Sequence, residues 1–270
     1  MEFDAVLIAP RREEMRARGL WPDRTINDAL DACVLHCPDR TAVTARQAES
    51  GAVERFTYRE LATLADRVAV GLHRLGVRAG DVVACQLPNG WQFPVMYLAC
   101  SRIGAVMNPL MPIFRARELG FMLAHGEAKV FVCPKTFRGF DHEQMALALK
   151  AQLPLLEHVV VIGSDAAHGF ERLLSGPAWE READAPAILG GHRPGPDDVT
   201  QLIYTSGTTG EPKGPMHTAN TLLSNILPYA ERLGLGERDV VLMASPMAHQ
   251  TGFMYGLMMP IILRASAVLL

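Results

Sequence analysis

Tyr204-Thr205-Ser206-Gly207-Thr208-Thr209-Gly210-Glu211-Pro212-Lys213-Gly214 is the stretch whose reading decides the fold of this 270-residue chain. Just before it, Val199 to Tyr204 runs through Val, Gln, Leu, Ile and Tyr as a strand does, so a rigid element delivers the chain into a segment that turns abruptly small and polar. Three glycines follow within eight residues. Glycine lets backbone N–H groups turn toward a ligand at φ values other residues avoid. The hydroxyls of Thr205, Ser206, Thr208 and Thr209 can donate to phosphate oxygens without adding charge, while Lys213 supplies a cation and Pro212 fixes φ just before it. The spacing is not Walker A, which needs four residues between its glycines and Lys-Ser/Thr directly after the second. Here Gly207 and Gly210 are closer, and Lys213 precedes Gly214. A plain Ser/Thr/Gly turn after a strand is the competing reading of such a segment.

Downstream, Thr218 to Leu233 reads as an amphipathic helix opened by threonine and closed by Gly234, and Asp239 to Ala244 as a strand. Ser245-Pro246-Met247-Ala248-His249-Gln250-Thr251-Gly252 follows. A lone histidine is ordinarily structural. This one lies after a buried strand and before an apolar helix, where open sheets present their ligands.

Upstream, Thr25 and Asp28 open a helix with Ile26, Leu30, Cys33 and Cys37 at helical spacing, ended by Pro38. Thr57-Tyr58-Arg59-Glu60 is a capping box, after which Leu61, Leu64, Ala65, Val68, Leu72 and Leu75 keep one apolar face until Gly76. Val82 to Leu87 predicts a buried strand, Pro88-Asn89-Gly90 a turn, Trp91 to Ile103 a helix stopped by Gly104, Glu118 to Leu123 a helix and Ala128 to Cys133 a second buried strand. Ala105 to Asn108 between them is short and apolar. This alternation predicts an α/β fold: doubly wound, mostly parallel sheets covered by helices, with a first layer at about 25–200 and the start of a second at about 201–270. Residues 164–197, rich in Gly, Pro, Ala and Asp with little periodicity, read as a surface connection.

Composition bounds the function. With 49% hydrophobic and 20% charged residues the chain can bury a large core, and a net charge of −3 argues against a dedicated nucleic-acid or anionic-membrane surface. Five cysteines, an odd number, and an N-terminus carrying Asp4, Arg11, Arg12, Glu13 and Glu14 point to reduced thiols and a cytoplasmic protein. The longest strongly apolar run, Gly252 to Leu263, is 12 residues and includes Gly256 and Pro260, too short to span a bilayer. Cys33, His36 and Cys37 invite a metal reading, but the two cysteines continue an apolar helical stripe and no second ligand pair follows, so core is the better assignment. No motif bears on oligomeric state.

The eleven positions from Tyr204 to Gly214 resemble, residue for residue, the phosphate-binding signature of the AMP-forming adenylating enzymes: acyl-CoA synthetases, peptide-synthetase adenylation domains and luciferases. Pro246 to Gly252 resembles that family's next motif, Pro-x-x-His-x-x-Gly, whose histidine lies near the carboxylate and the α-phosphate. Phe56 to Leu61, Gly80-Asp81, Leu87-Pro88-Asn89, Gly104-Ala105 and Asn108-Pro109 are similar, in order and spacing, to its N-terminal region. The runs Asn108 to Arg115 and Met247 to Met254 look like those of bacterial cyclohexanecarboxylate-CoA ligases. Pro215 departs from the pattern, which has a small β-branched residue after Lys-Gly; in a sheet ladder it would cost one bond unless the strand is an edge. By resemblance, members continue for about this length again, so the chain is expected to be the truncated N-terminal domain of the adenylating-enzyme fold, inactive by itself in the full reaction.

The resemblance implies ATP-dependent activation of a small-molecule carboxylate to an acyl-adenylate, with Mg²⁺, then transfer to coenzyme A. Thr205, Ser206, Gly207, Thr208, Thr209 and Gly210 would hold the β- and γ-phosphates, Thr205 on the metal side. Lys213 would add charge, His249 would orient the reacting carboxylate, and Met247, Phe253 and Met254 would border the acyl pocket. The methionines suit a bulky alicyclic, aromatic or medium-chain acid. An acceptor carrier protein in place of coenzyme A, and an inactive nucleotide-binding fragment, are the alternatives.

Overall fold

The computed structural model describes residues 11–47, 50–205 and 212–270. The helices begin where the side chains dictate. Thr25, Thr57 and Thr218 each accept a hydrogen bond from the N–H three residues on, while Asp28, Glu60 and Thr221 answer back to the cap N–H. These reciprocal bonds satisfy N–H groups that the first turn leaves orphaned.

In chain order the helices are α1 (Arg12–Ala17), α2 (Ile26–His36), α3 (Tyr58–Arg74), α4 (Gln92–Arg102), α5 (Ala116–His125), α6 (His142–Lys150), α7 (Ala185–Gly191), α8 (Ala219–Leu233) and α9 (Met259–Leu263). The strands are β1 (Thr41–Arg46), β2 (Val53–Thr57), β3 (Val82–Cys85), β4 (Val106–Pro109), β5 (Ala128–Pro134), β6 (Thr136–Phe137), β7 (Phe140–Asp141), β8 (His158–Ile162), β9 (Val199–Leu202), β10 (Met216–Thr218), β11 (Val240–Met243) and β12 (Ser266–Leu269).

Six strands form one sheet in the order β10-β9-β4-β3-β5-β8, parallel except for β10. From β3 the chain goes through α4 to β4 on one side, then through α5 to β5 on the other, so the loops after β3 and β4 leave toward opposite faces. One face packs α5 and α6 through Leu119, Met122, Leu123, Ala146 and Leu149. The other, with Val83, Met107 and Val132, packs the layer of α3 and α4, and beyond that layer lies a second sheet, β11-β12-β1-β2. Val43, Ala45, Ala267 and Leu269 face this shared core. On the opposite face of the second sheet, Val240 and Leu242 are each 62% exposed.

Two expectations change. The boundary near residue 200 does not follow the sheets: β9 and β10 extend the first, whereas β1 and β2 lie in the second, Val43 pairing with Ala267 in parallel register. Strand partners more than two hundred residues apart leave no local trace, because periodicity names a strand but not its neighbour. The segment 164–197 is more than a surface connection. Phe170, Leu174 and Ala185 are buried, Trp179 Nε1 donates to Leu173 O at 3.0 Å, and Arg67 of α3 donates to both Glu180 carboxylate oxygens at 2.8 and 2.9 Å. Gly71 lets the segment lie on α3, since a Cβ there would stand 2.9 Å from Leu174 Cδ2.

Candidate active site

The first signature is framed by antiparallel pairing of its two ends. Past β9 the pairing continues, Ile203 N–H donating to Pro215 O at 3.1 Å and Thr205 N–H to Lys213 O at 2.9 Å, with an antiparallel bridge between Thr205 and Lys213. Both residues are exposed. Thr205 and Lys213 therefore stand opposite each other; Ser206, Gly207, Thr208, Thr209 and Gly210 lie outside the described residues. Pro215 has no N–H to return the bond from Ile203, and it belongs to the hairpin arm at the sheet edge, where such a gap is tolerated.

Tyr204 anchors the base. Its hydroxyl donates to Met122 O at 3.3 Å, which leaves His125 Nδ1, 2.8 Å away at the end of α5, to donate to it. Burial pushes the Tyr204 phenol up to about 12, so it stays a neutral donor. Gly214 makes room for the ring: a Cβ there would lie 3.0 Å from Leu202 Cδ1 and 3.3 Å from Tyr204 Cε1.

The second signature is the turn after β11. His249 N–H donates to Pro246 O at 3.0 Å, and Phe253 N–H to His249 O at 2.9 Å, which starts the helical run Gly252–Met258 that continues into α9. That run is wound as a π-helix, a form that concentrates at functional sites. Gly252 seats the run on the turn, where a Cβ would stand 2.3 Å from Pro246 O and 2.7 Å from Met247 Cα. The His249 side chain is exposed, and its Nδ1 accepts from Thr251 N–H at 3.4 Å. In a neutral imidazole this acceptance puts the proton on Nε2. Beside it, neither the oxygen nor the nitrogen of the Gln250 carboxamide has a partner among the described residues.

Tyr97 of α4 ties the two signatures together through the core. Its hydroxyl lies 3.2 Å from Thr200 Oγ1 on β9, and its ring packs edge-on to Phe253 at 4.6 Å. Phe253 is fully buried against Phe93 and Tyr97, Met247 is buried, and Met254 is half-buried. Of the three apolar site residues, Met254 is the one partly open to solvent.

Four of the five thiols are buried, and Cys37 is partly exposed. Cys33 is buried and donates to Ile261 O at 3.2 Å, and burial pushes it up to about 12, so it carries no ready thiolate. Among the described residues no group of three His, Cys, Asp or Glu could hold a metal ion, and no helix is long and apolar enough to cross a membrane. The Thr205 hydroxyl, a hard oxygen donor that among the described residues makes only a 3.5 Å approach to Lys213 O, suits a Mg²⁺ that arrives with a triphosphate and needs few protein ligands. Sequence reasoning gave no role to His125, Tyr97 or Asn89. Asn89 alone carried a signal, standing at a strand end inside a stretch similar to the family's.

The family model for the AMP-binding enzyme matches residues 30–270, and the chain belongs to that family. It is 35% identical over 260 residues to the medium-chain fatty-acid–CoA ligase of Escherichia coli, covering 96% of this chain and 44% of that protein. It is 34% identical over 241 residues to the salicyl-AMP ligase / salicyl-S-ArCP synthetase of Mycobacterium tuberculosis, covering 89% and 41%. The apo structure of Mycobacterium smegmatis MbtA superposes with a TM-score of 0.81 at 32% identity, over 100% of this chain and 47% of that one. The chain thus spans somewhat under half the length of the relatives it matches.

Proposed function

We propose that this chain supplies the triphosphate-binding hairpin and the carboxylate-orienting histidine of an AMP-forming carboxylate–CoA ligase. The observation that carries the reading is the Thr205–Lys213 bridge, which puts a hydroxyl and a cation at the mouth of the loop whose sequence is the family's phosphate signature. Activation joins a carboxylate oxygen to the α-phosphorus of ATP and expels pyrophosphate; a thiol then takes the acyl group and releases AMP. Such a reaction asks the protein chiefly to position the triphosphate and to offset developing charge. Thr205 and Lys213 do so at the hairpin mouth, together with the hydroxyls and N–H groups of Ser206 to Gly210. Thr205 would meet a Mg²⁺ carried by the triphosphate, and that ion would supply further positive charge.

His249 acts on the carboxylate. With Nδ1 occupied by Thr251 N–H, the exposed Nε2–H donates to one carboxylate oxygen and leaves the other aimed at phosphorus. Met254 borders the acyl group, and Met247 and Phe253 support it from the core; a flexible, polarisable methionine of this kind suits irregular apolar acids. Coenzyme A is the acceptor the fatty-acid ligase relative favours, and a carrier protein is the one the salicyl relative favours.

Carboxylate-dependent ATP–pyrophosphate exchange by the full-length protein that carries this chain tests the reading, with cyclohexanecarboxylate, benzoate, hexanoate and acetate in competition. The expected result is exchange with preference for an apolar acid over acetate and a loss of about 10²-fold or more in His249→Ala. Wild-type exchange rates in His249→Ala would remove the histidine's role, and preference for acetate would remove the apolar pocket.

A further inference from the structure

We infer that Asn89 is a positioning residue for His249, reaching from the first sheet to set the turn on which the histidine stands. Asn89 lies between β3 and α4, in the loop that leaves the first sheet. Its Nδ2 donates to Ser245 O at 2.9 Å and Leu270 O at 3.1 Å, with a longer contact to Met243 O at 3.4 Å. Its Oδ1 accepts from Met247 N–H at 2.8 Å. One side chain therefore bonds the ends of β11 and β12 and both sides of Pro246, across 154 to 181 positions of sequence. The amide's two hydrogens serve three carbonyls by sharing, and its oxygen serves the one N–H, so every polar atom of the side chain is committed to this turn.

The chemistry singles out asparagine. Aspartate has the same shape but no donor, and would set a carboxylate against three carbonyl oxygens. Glutamine carries the same groups one carbon too far. From behind, Gly252 holds the helix against Pro246 O and Met247 Cα, so the turn is gripped between helix backbone and the Asn89 amide. His249, whose N–H is bonded to Pro246 O, inherits its position from that grip. Asn89 touches neither nucleotide nor acid in this scheme; it acts through the histidine. The inference deepens the carboxylate-ligase reading and rests on it for its catalytic consequence, while the grip itself is open to direct measurement.

The experiment compares the wild-type protein with Asn89→Asp, Asn89→Gln and Asn89→Ala. Three readouts are taken: native-state amide exchange, the His249 imidazole NMR resonances, and the carboxylate and ATP dependence of pyrophosphate exchange. In Asn89→Asp the amides of residues 247–251 are expected to exchange about tenfold faster or more, with β3 and β5 unchanged and the His249 resonances displaced. The carboxylate KM is expected to rise about tenfold with the ATP KM moved less than about twofold, a ratio that one lost hydrogen-bond set produces. On a His249→Ala background the Asn89 change is expected to add nothing. Unchanged exchange at residues 247–251 and unmoved His249 resonances would overturn the inference, as would equal rises in both KM values. Asn89→Gln keeps the polar groups and covers the case in which the aspartate or alanine variant does not fold. If the full-length wild-type protein shows no carboxylate-dependent exchange, the ligase reading fails on its own, and the amide and imidazole measurements still decide what Asn89 does.

Discussion

The Thr205–Lys213 hairpin arms and the histidine turn are held in place by opposite means. The hairpin is a local object: its arms, Leu202 and Met216, are fourteen positions apart, and backbone pairing runs from β9 through Ile203–Pro215 to Thr205–Lys213 at the edge of the first sheet. The turn is a tertiary object. Its Met247 N–H and Ser245 O are taken by Asn89, its rear is filled by Gly252, and the ends of β11 and β12 meet beneath it. A ladder on an edge tolerates a missing bond. A turn wedged between two sheets and a helix has no such slack, so damage should cost more there.

The comparison breaks most sharply at Gly252. In Gly252→Ala the new Cβ would meet backbone at 2.3 and 2.7 Å, which no rotamer change relieves. The expected loss is about 3 kcal/mol or more, beyond the usual range for an overpacked side chain, read from the denaturant midpoint. A variant as stable as wild type would show that the turn is looser than this packing implies.

Next comes acid sensitivity, which should report the first sheet and not the turn. His142 is fully buried; its Nδ1 donates to Gln86 Oε1 at 3.0 Å and its Nε2 has no partner among the described residues. Burial, helped by Arg115, lowers it from 6.5 to about 4. The unfolded chain therefore binds this proton more readily than the native one, so stability is retained above pH 6.5 and lost as pH falls toward 4. His142→Gln should flatten the stability profile across that window, measured by thermal unfolding at a series of pH values.

A smaller effect is expected at the hairpin base. Tyr204→Phe keeps the ring between Leu202 and Gly214 but removes the hydroxyl from His125 and Met122, at a cost of about 1 kcal/mol. If the base positions Thr205, the ATP KM should rise while the carboxylate KM stays level, the reverse of the pattern expected at Asn89. Equal rises would erase the distinction between the two regions.

The smallest effect belongs to Pro215→Val. It returns an N–H to the ladder opposite Ile203, worth about 1 kcal/mol, but frees the unfolded chain by about 0.4–1 kcal/mol. The two nearly cancel, so the midpoint should move by no more than about 0.5 kcal/mol. A large gain would mean the hairpin is less forgiving than an edge should be.

Much of the fold was legible because its causes are local. Thr25, Thr57 and Thr218 each cap a helix with a partner three residues away, and Gly234 ends α8 at a φ of +66° that glycine adopts without strain. β3, β5, β9 and β11 announced themselves by apolar runs between turn residues. The phosphate signature and His249 were singled out because each belongs to a short contiguous string that follows a strand. Sequence by itself determined those elements, their order and the family.

Tertiary structure alone decided which elements meet. β1 joined β12 across the length of the chain, and residues 164–197 proved to pack on α3, since burial of Phe170 and Leu174 depends on a surface that exists only once α3 is folded. Phe253, read as a pocket residue from its neighbourhood in sequence, is sealed between Phe93 and Tyr97 because helical winding turns it to the core while Met254 stays partly open. Asn89 reads locally as a turn residue in a stretch similar to the family's, with no sign of its partners. Its bonds to Ser245, Met247 and Leu270 form when two sheets stack, and no local pattern encodes them, because hydrogen-bond partners are chosen by distance in space and not along the chain.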